Sequence, residues 1–216
     1  MIIKKCAHYL YDIIRYRIFA SYTSLLYSID SYEYTAKYYG DVRRVTLDNV
    51  NDANTFQNEK YLQCFKTFLE AGDDGYYGYL DGKCAHRSWV VHSGMMVVDR
   101  YYQRPMKENE IFIHWCETAV WARGHNLYPA ILGRIIADNP DRHICISVNE
   151  NNIASRRGVE KVGFAVQERI ETKVVFGMKF TSIEDINANV RGGGDRCLND
   201  WRIPLMVDFA WNGEAA

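Results

Sequence analysis

The chain has 216 residues, 48% of them hydrophobic, enough for one sizeable core or one core with a small appendage. Its 26 basic and 27 acidic residues nearly cancel, so no bulk basic footprint points to nucleic acid as a partner. The cysteines are widely spaced, with no C-x-x-C pair and no Cys/His run of zinc-site spacing, which reads as reduced cytoplasmic thiols and no metal centre. No apolar run approaches the roughly 20 residues of a membrane-spanning helix.

Apolar residues at Leu10, Ile13, Ile14, Ile18, Tyr22, Leu25 and Leu26 fall at helical spacing, with Asp12, Arg15 and Arg17 set among them. That spacing predicts a helix, and the charges break any signal-peptide core. Packing on the domain is the first reading of this helix. Peripheral membrane contact through Lys4, Lys5, Arg15 and Arg17 is the second. Residues 1–40 are therefore expected to form a helical appendage whose dense tyrosines face a partner.

The main domain is expected over residues 41–180. A strand is predicted over 42–47, and a helix over 56–70 that stops at Gly72. Asp81-Gly82 between strand-like runs at 75–80 and 84–91 signals a two-residue hairpin. Strands are predicted at 95–102 and 111–118, around a polar break at 103–110 that contains Pro105. A helix over 128–137 follows, with Pro129 in its first turn and Asn139-Pro140 closing it. Next comes an apolar central strand at 143–148. A helix between two neighbouring strands implies a right-handed crossover and a parallel pair. A second helix, 152–162, ends at Gly163, and strands at 164–171 and 174–180 close the domain as an antiparallel pair. The fold class expected is α+β, a twisted, mostly antiparallel mixed sheet with a parallel central pair, flanked by helices. The tail, 181–216, is expected to pack on the domain or on a second copy in a homodimer, and Arg191-Gly192-Gly193-Gly194-Asp195 within it reads as a turn.

Two segments carry chemistry. Arg123-Gly124-His125-Asn126-Leu127-Tyr128 stands between a strand and a helix, where exposed amides and the positive end of the helix dipole suit a diphosphate. Asn152-x-x-Ser155 and then Glu160-Lys161-x-Gly163-Phe164 follow at a helix-then-strand position. Taken singly, the first is an ordinary turn and the second a helix cap. In this order and spacing they resemble the GNAT superfamily of acyl-CoA-dependent N-acetyltransferases, over residues 42–180.

The resemblance implies acetyl-CoA as acyl-donor substrate, with its pyrophosphate on the amides of Arg123 to Tyr128 and its pantetheine arm near Asn152 and Ser155. Asn126 stands where the family's pattern has glycine and is expected to take a left-handed backbone, which asparagine tolerates. Tyr128 is bulkier than the pattern, and Pro129 removes one amide donor. Many members carry a tyrosine where this chain has Val159, which leaves the acid that protonates the departing thiolate unassigned.

The resemblance also implies that the strand before the turn splays from its neighbour, placing Cys116, Glu117 and Thr118 beside the thioester. Plain strand alternation puts His114, Cys116 and Thr118 on one face and Ile113, Trp115 and Glu117 on the other. His114 is the first candidate for the base, Glu117 the competitor if a bulge reverses the parity, and His86 a third. Cys116 reads as a small buried residue, not an acyl carrier. Arg156 and Arg157 stand on the coenzyme-side helix within reach of phosphate oxygens, though a solvated helical face is the commoner explanation.

The activity expected is direct acetyl transfer to a primary amine of a small metabolite or amino sugar, with Tyr76, Tyr77 and Tyr79 as a stacking surface. The alternative is an inactive acyl-CoA-binding or interaction module, suggested by Asn126, Tyr128 and Val159.

Overall fold

In the computed structural model of the chain, the described residues are 18–35, 37–186 and, for its backbone, the strand 196–200. The elements in order are β1 (Phe19–Asp30), β2 (Asp41–Arg44), α1 (Glu59–Ala71), β3 (Asp74–Leu80), β4 (Lys83–Val91), β5 (Met95–Val97), β6 (Gln103–Pro105), β7 (Glu110–Thr118), α2 (Leu127–Asp138), β8 (His143–Asn149), α3 (Ile153–Val162), β9 (Ala165–Val175), β10 (Met178–Asp185) and β11 (Arg196–Asp200). Nine strands form one sheet in the order β11-β10-β9-β1-β8-β7-β4-β3-β2. Among the described residues only β7 and β8 run parallel, joined through α2. The α+β class, the parallel pair and both flanking helices are as the sequence implies.

Local signals set the boundaries. Asn58 caps α1 by accepting from the Tyr61 N–H, and Gly72 ends it in the left-handed conformation. Asp81 and Gly82 both take positive φ, the turn a two-residue hairpin between β3 and β4 requires. Gly163, at φ 110°, stops α3 and returns the chain into β9.

One face of the sheet packs against α2 and α3, around Leu25, Tyr27, Ile111, Ile113, Ile131 and Val159. On the opposite face α1 covers β3 and β4 with Leu62 and Phe65 against Tyr77 and Trp89. The short β5–β6 ribbon covers Leu26, Phe112 and Cys145 there with Met96 and Val98.

Three expectations are corrected. The stretch through Leu26 is not helical: from Phe19 it is β1, paired with β8 on one side and β9 on the other. Six consecutive residues, Ser24 to Ile29, are buried because both faces are covered, with Leu25 and Tyr27 facing α2 and α3 and Leu26 facing the ribbon. A strand buried on both sides loses its period of two, and its apolar run then mimics helical spacing. The domain therefore takes in residues that the 1–40 appendage was to hold; residues 1–17, with the basic membrane-contact candidates, lie outside the described residues. Second, the strand expected at 95–102 is only Met95–Val97, paired in a separate ribbon with β6 from the supposed polar break. Third, β10 runs on to Asp185 and pairs with β11, so the sheet continues into the tail. The Gly-rich turn at 191–195 and residues 201–216 are outside the described residues.

Candidate active site

The register of β7 sets the site. Glu110 to Ile113 pair with His143 to Ile146 of β8, and the pairing ends there. Beyond Ile113 the strand stays with β4, through Arg87 opposite Glu117 and His86 opposite Thr118, while β8 stays with β1, through Ser24 opposite Asn149. A wedge thus opens between two parallel neighbours. Burial follows it: β7 is buried through Ile113 and half-buried from His114 to Thr118.

A bulge sits at the start of the wedge. Trp115 takes φ 51°, and the pairing with β4 shifts between Arg87 and Trp89, so that Trp115 and Cys116 oppose the single residue Ser88. The extra residue reverses the faces from the plain alternation. Cys116 packs with Ile113 on the α2 and α3 face, and Thr118 bonds His86, which stacks on Tyr128 there. His114, Trp115 and Glu117 share the α1 face. His114 is thereby separated from Cys116 and Thr118, contrary to the expected grouping.

His114 lies between the rings of Phe68 and Phe112, its Nε2 3.7 Å from an Asp73 oxygen and buried without a hydrogen-bond partner. Glu117 stands differently. Its Oε2 accepts from Arg87 Nη2 at 2.6 Å and from Gln57 Nε2 at 2.9 Å, and its side chain is 29% exposed. Arg87 is 5% exposed, ringed by Tyr61, Phe65 and Trp115 at 5.1 to 5.4 Å, and also donates to the Trp115 carbonyl. Only its pairing makes a buried guanidinium tenable. His86 is fully enclosed between Thr118 and Ser88, and burial, with the charge of Arg87, pushes it down to about 3. A neutral imidazole of that kind is not a base at physiological pH.

The turn after β7 matches its expected geometry. Asn126 is left-handed, at φ 56° and ψ 23°, and Gly124 takes φ 88° with open space where a Cβ would stand. Asn126 is the N-cap of α2 yet makes no side-chain cap, leaving the first-turn amides of Leu127 and Tyr128 for another acceptor. Arg123, Gly124, His125 and Asn126 are exposed, Leu127 is buried, and Lys161 of α3 reaches Asn126 Oδ1 at 3.3 Å.

Asn152 accepts from the Ser155 N–H at 3.0 Å, capping α3, and the Ser155 side chain lies toward the Tyr128 hydroxyl. Arg156 is committed to Tyr27 and the Glu150 carbonyl, and Arg157 is exposed. Burial pushes the Cys116 thiol up to about 11. Beside the turn, Trp121 is 49% exposed and walls a recess of about 490 Å³ with Thr55, Leu80, Asp81 and Lys83. Tyr76, Tyr77 and Tyr79 are core residues, not a surface for an acceptor.

Among the described residues, Glu110, His143 and Cys145 bring three metal-ligand atoms within 4.8 Å of one another. Arg104 bonds both Glu110 oxygens, at 2.7 and 2.9 Å, so this group reads as a buried ion pair. No helix among the described residues is long and apolar enough to cross a membrane.

Sequence reasoning passed over Arg87 and Gln57, which hold Glu117. A charged Arg87 inside the otherwise apolar run of β4 was the available signal, since such a charge persists only with a partner.

No protein-family model and no curated protein matches the chain. Solved structures do. A conserved protein of unknown function from Staphylococcus epidermidis is 15% identical with a TM-score of 0.52, covering 76% of this chain and 64% of its own. A GNAT-family acetyltransferase from Colwellia psychrerythraea is 14% identical with a TM-score of 0.51, covering 78% and 72%. A glucosamine N-acetyltransferase region of a fungal multi-domain β-N-acetylglucosaminidase is 10% identical with a TM-score of 0.50, covering 78% of this chain and 22% of that one. This chain thus spans just under two thirds of the staphylococcal protein's length. With its wedge between parallel neighbours and its open helix start beside it, the chain has the fold of the GNAT acetyltransferases.

Proposed function

We propose that the chain moves an acetyl group from acetyl-CoA to a primary amine by direct transfer, the acceptor being a small metabolite or amino sugar. The observation that carries this reading is the juxtaposition of the β7–β8 wedge with the left-handed turn and uncapped start of α2. The diphosphate would rest on the amides of Gly124 to Tyr128, with Arg123 and His125 nearby, and the pantetheine arm near Asn152 and Ser155. Cys116 and Thr118 would flank the thioester.

Glu117 replaces His114 as the first candidate for the base. It stands in the open half of β7 with Oε1 unbonded among the described residues, whereas His114 is walled by aromatic rings. In the reaction the amine nitrogen attacks the carbonyl carbon, a C–N bond forms and the C–S bond breaks. The amine proton passes to Glu117, directly or through water, and the thiolate takes one from solvent, its ordinary pKa lying near 8.5. A Cys116 thiol held protonated is a poor nucleophile, which supports direct transfer. The exposed indole of Trp121 offers a stacking face for a sugar ring, and the fold shared with a glucosamine N-acetyltransferase region favours the same class.

Calorimetric titration with acetyl-CoA, CoA and dephospho-CoA is the test, followed by thiol release with a panel of amines and amino sugars. Acetyl-CoA binding is expected, with Glu117→Gln lowering kcat by about 10² to 10⁴ and leaving coenzyme affinity unchanged. A protein that binds none of the three coenzymes overturns the proposal.

A further inference from the structure

Tyr128 spans the wedge from one lip to the other. Its side chain leaves the first turn of α2 and lies against Gly158, where an added Cβ would stand 2.6 Å from ring carbon Cδ1. The ring stacks on His86 with centroids 5.2 Å apart. Its hydroxyl lies toward the Cys116 thiol, on the splayed half of β7, and the Ser155 hydroxyl, in the first turn of the helix that follows β8. The same lip continues the pattern: Ser88 Oγ donates to Cys116 Sγ at 3.2 Å, Ser88 meets His86 Nε2 at 2.9 Å, and His86 Nδ1 meets Thr118 Oγ1 at 2.6 Å. The helix-side end of the wedge is therefore closed by one aromatic ring and a set of polar groups that satisfy one another.

We infer that Tyr128 is the end stop for the acyl group of the donor, so that this chain selects two-carbon acyl thioesters over longer ones. The inference rests on the acyl-CoA reading above and names the donor class within it. A longer alkyl chain pushed into this end would displace the ring or strand the hydroxyls of Ser88 and Ser155 without partners, and buried polar groups left unpaired oppose binding. An apolar end would do the opposite, adding about fourfold in affinity for each buried methylene. Gly158 belongs to the device, because any larger residue there would contest the space the ring occupies.

Acetyl-, propionyl-, butyryl- and hexanoyl-CoA are titrated against the unaltered protein, Tyr128→Phe and Tyr128→Leu, with melting curves for each. The unaltered protein and Tyr128→Phe, which keeps the ring, should bind acetyl-CoA most tightly and lose affinity with each added carbon. Tyr128→Leu should invert the order, gaining about fourfold per methylene over the first carbons that the ring had excluded. Should Tyr128→Leu not fold, Gly158→Ala tests the same space from the helix side and is expected to weaken acetyl-CoA while sparing free CoA. Hexanoyl-CoA binding as tightly as acetyl-CoA to the unaltered protein overturns the end stop while leaving the acyl-CoA reading intact, as does an unchanged order in Tyr128→Leu. Failure of every thioester to bind overturns the acyl-CoA reading and this inference with it.

Discussion

The two halves of β7 are one strand with two environments. From Glu110 to Ile113 it is buried and paired with β8, and Phe112 and Ile113 pair with β4 as well. From the bulge at Trp115 onward it keeps only β4, its residues become half-buried, and its side chains switch faces. After Glu110, which Arg104 holds, the first half is made by packing: Ile111 and Ile113 need only apolar neighbours. The second half is made by polar partners that each need a particular position: Glu117 needs Arg87 and Gln57, and Thr118 needs His86. One inserted residue thus turns a core strand into the wall of a site, and losses in the two halves should register in different measurements.

The largest expected effect falls on the paired half. Ile146→Ala removes a buried side chain facing Ile113 across the last paired rung, and chemical denaturation should show a loss of about 2 to 5 kcal/mol. Coenzyme affinity measured under folding conditions should barely move; a large loss there would mean that the two halves are not separable.

Acid should act on the other half. His86 titrates near 3 when folded against about 6.5 when unfolded, so the unfolded chain binds a proton that the folded chain refuses. This contribution to stability is complete above pH 6.5 and is lost as pH falls below it, by up to about 1.4 kcal/mol per pH unit. His86→Gln should flatten the stability profile between roughly pH 6.5 and 4.5, above the range where carboxylates contribute. An unchanged slope would show that the imidazole is solvated.

Asn126→Val forces a β-branched residue to positive φ. It should cost about 1 to 2 kcal/mol in thermal or chemical unfolding and weaken acetyl-CoA binding, whereas Asn126→Gly should restore or improve both. Equal affinities across the three proteins would detach the turn from the coenzyme. Smallest of all, Lys161→Gln removes an exposed contact to Asn126 and should change stability by no more than about 0.5 kcal/mol.

Legibility followed punctuation. The run from β7 to β9 could be read closely because Asn126, Pro129, Asn139, Asn152 and Gly163 mark its boundaries, each with a backbone reason to sit where it does. β1 could not, since burial on both faces erased its alternation. Parity within the site failed at Trp115, because a tryptophan gives no local sign of a left-handed bulge; pairing with β4 imposes it. Tyr76, Tyr77 and Tyr79 were misplaced for a related reason, as a tyrosine whose hydroxyl finds an acceptor, such as Asp138, the Val50 carbonyl or Asp52, is as much at home in a core as on a surface.

The position of β1 also bears on how the chain comes to be folded. It leaves the ribosome before every other described strand, yet its neighbours are β8 and β9, and its Asp30 waits 113 positions for His143. Contacts of such sequence separation carry a loop-closure cost that local hairpins avoid, and they slow folding. The β3–β4 hairpin can form early, but the middle of the sheet must stay open until synthesis has passed Val175. During that interval Leu25, Leu26 and Tyr27 lack the late strands that bury them, and apolar surface exposed in this way is what makes folding intermediates prone to aggregate.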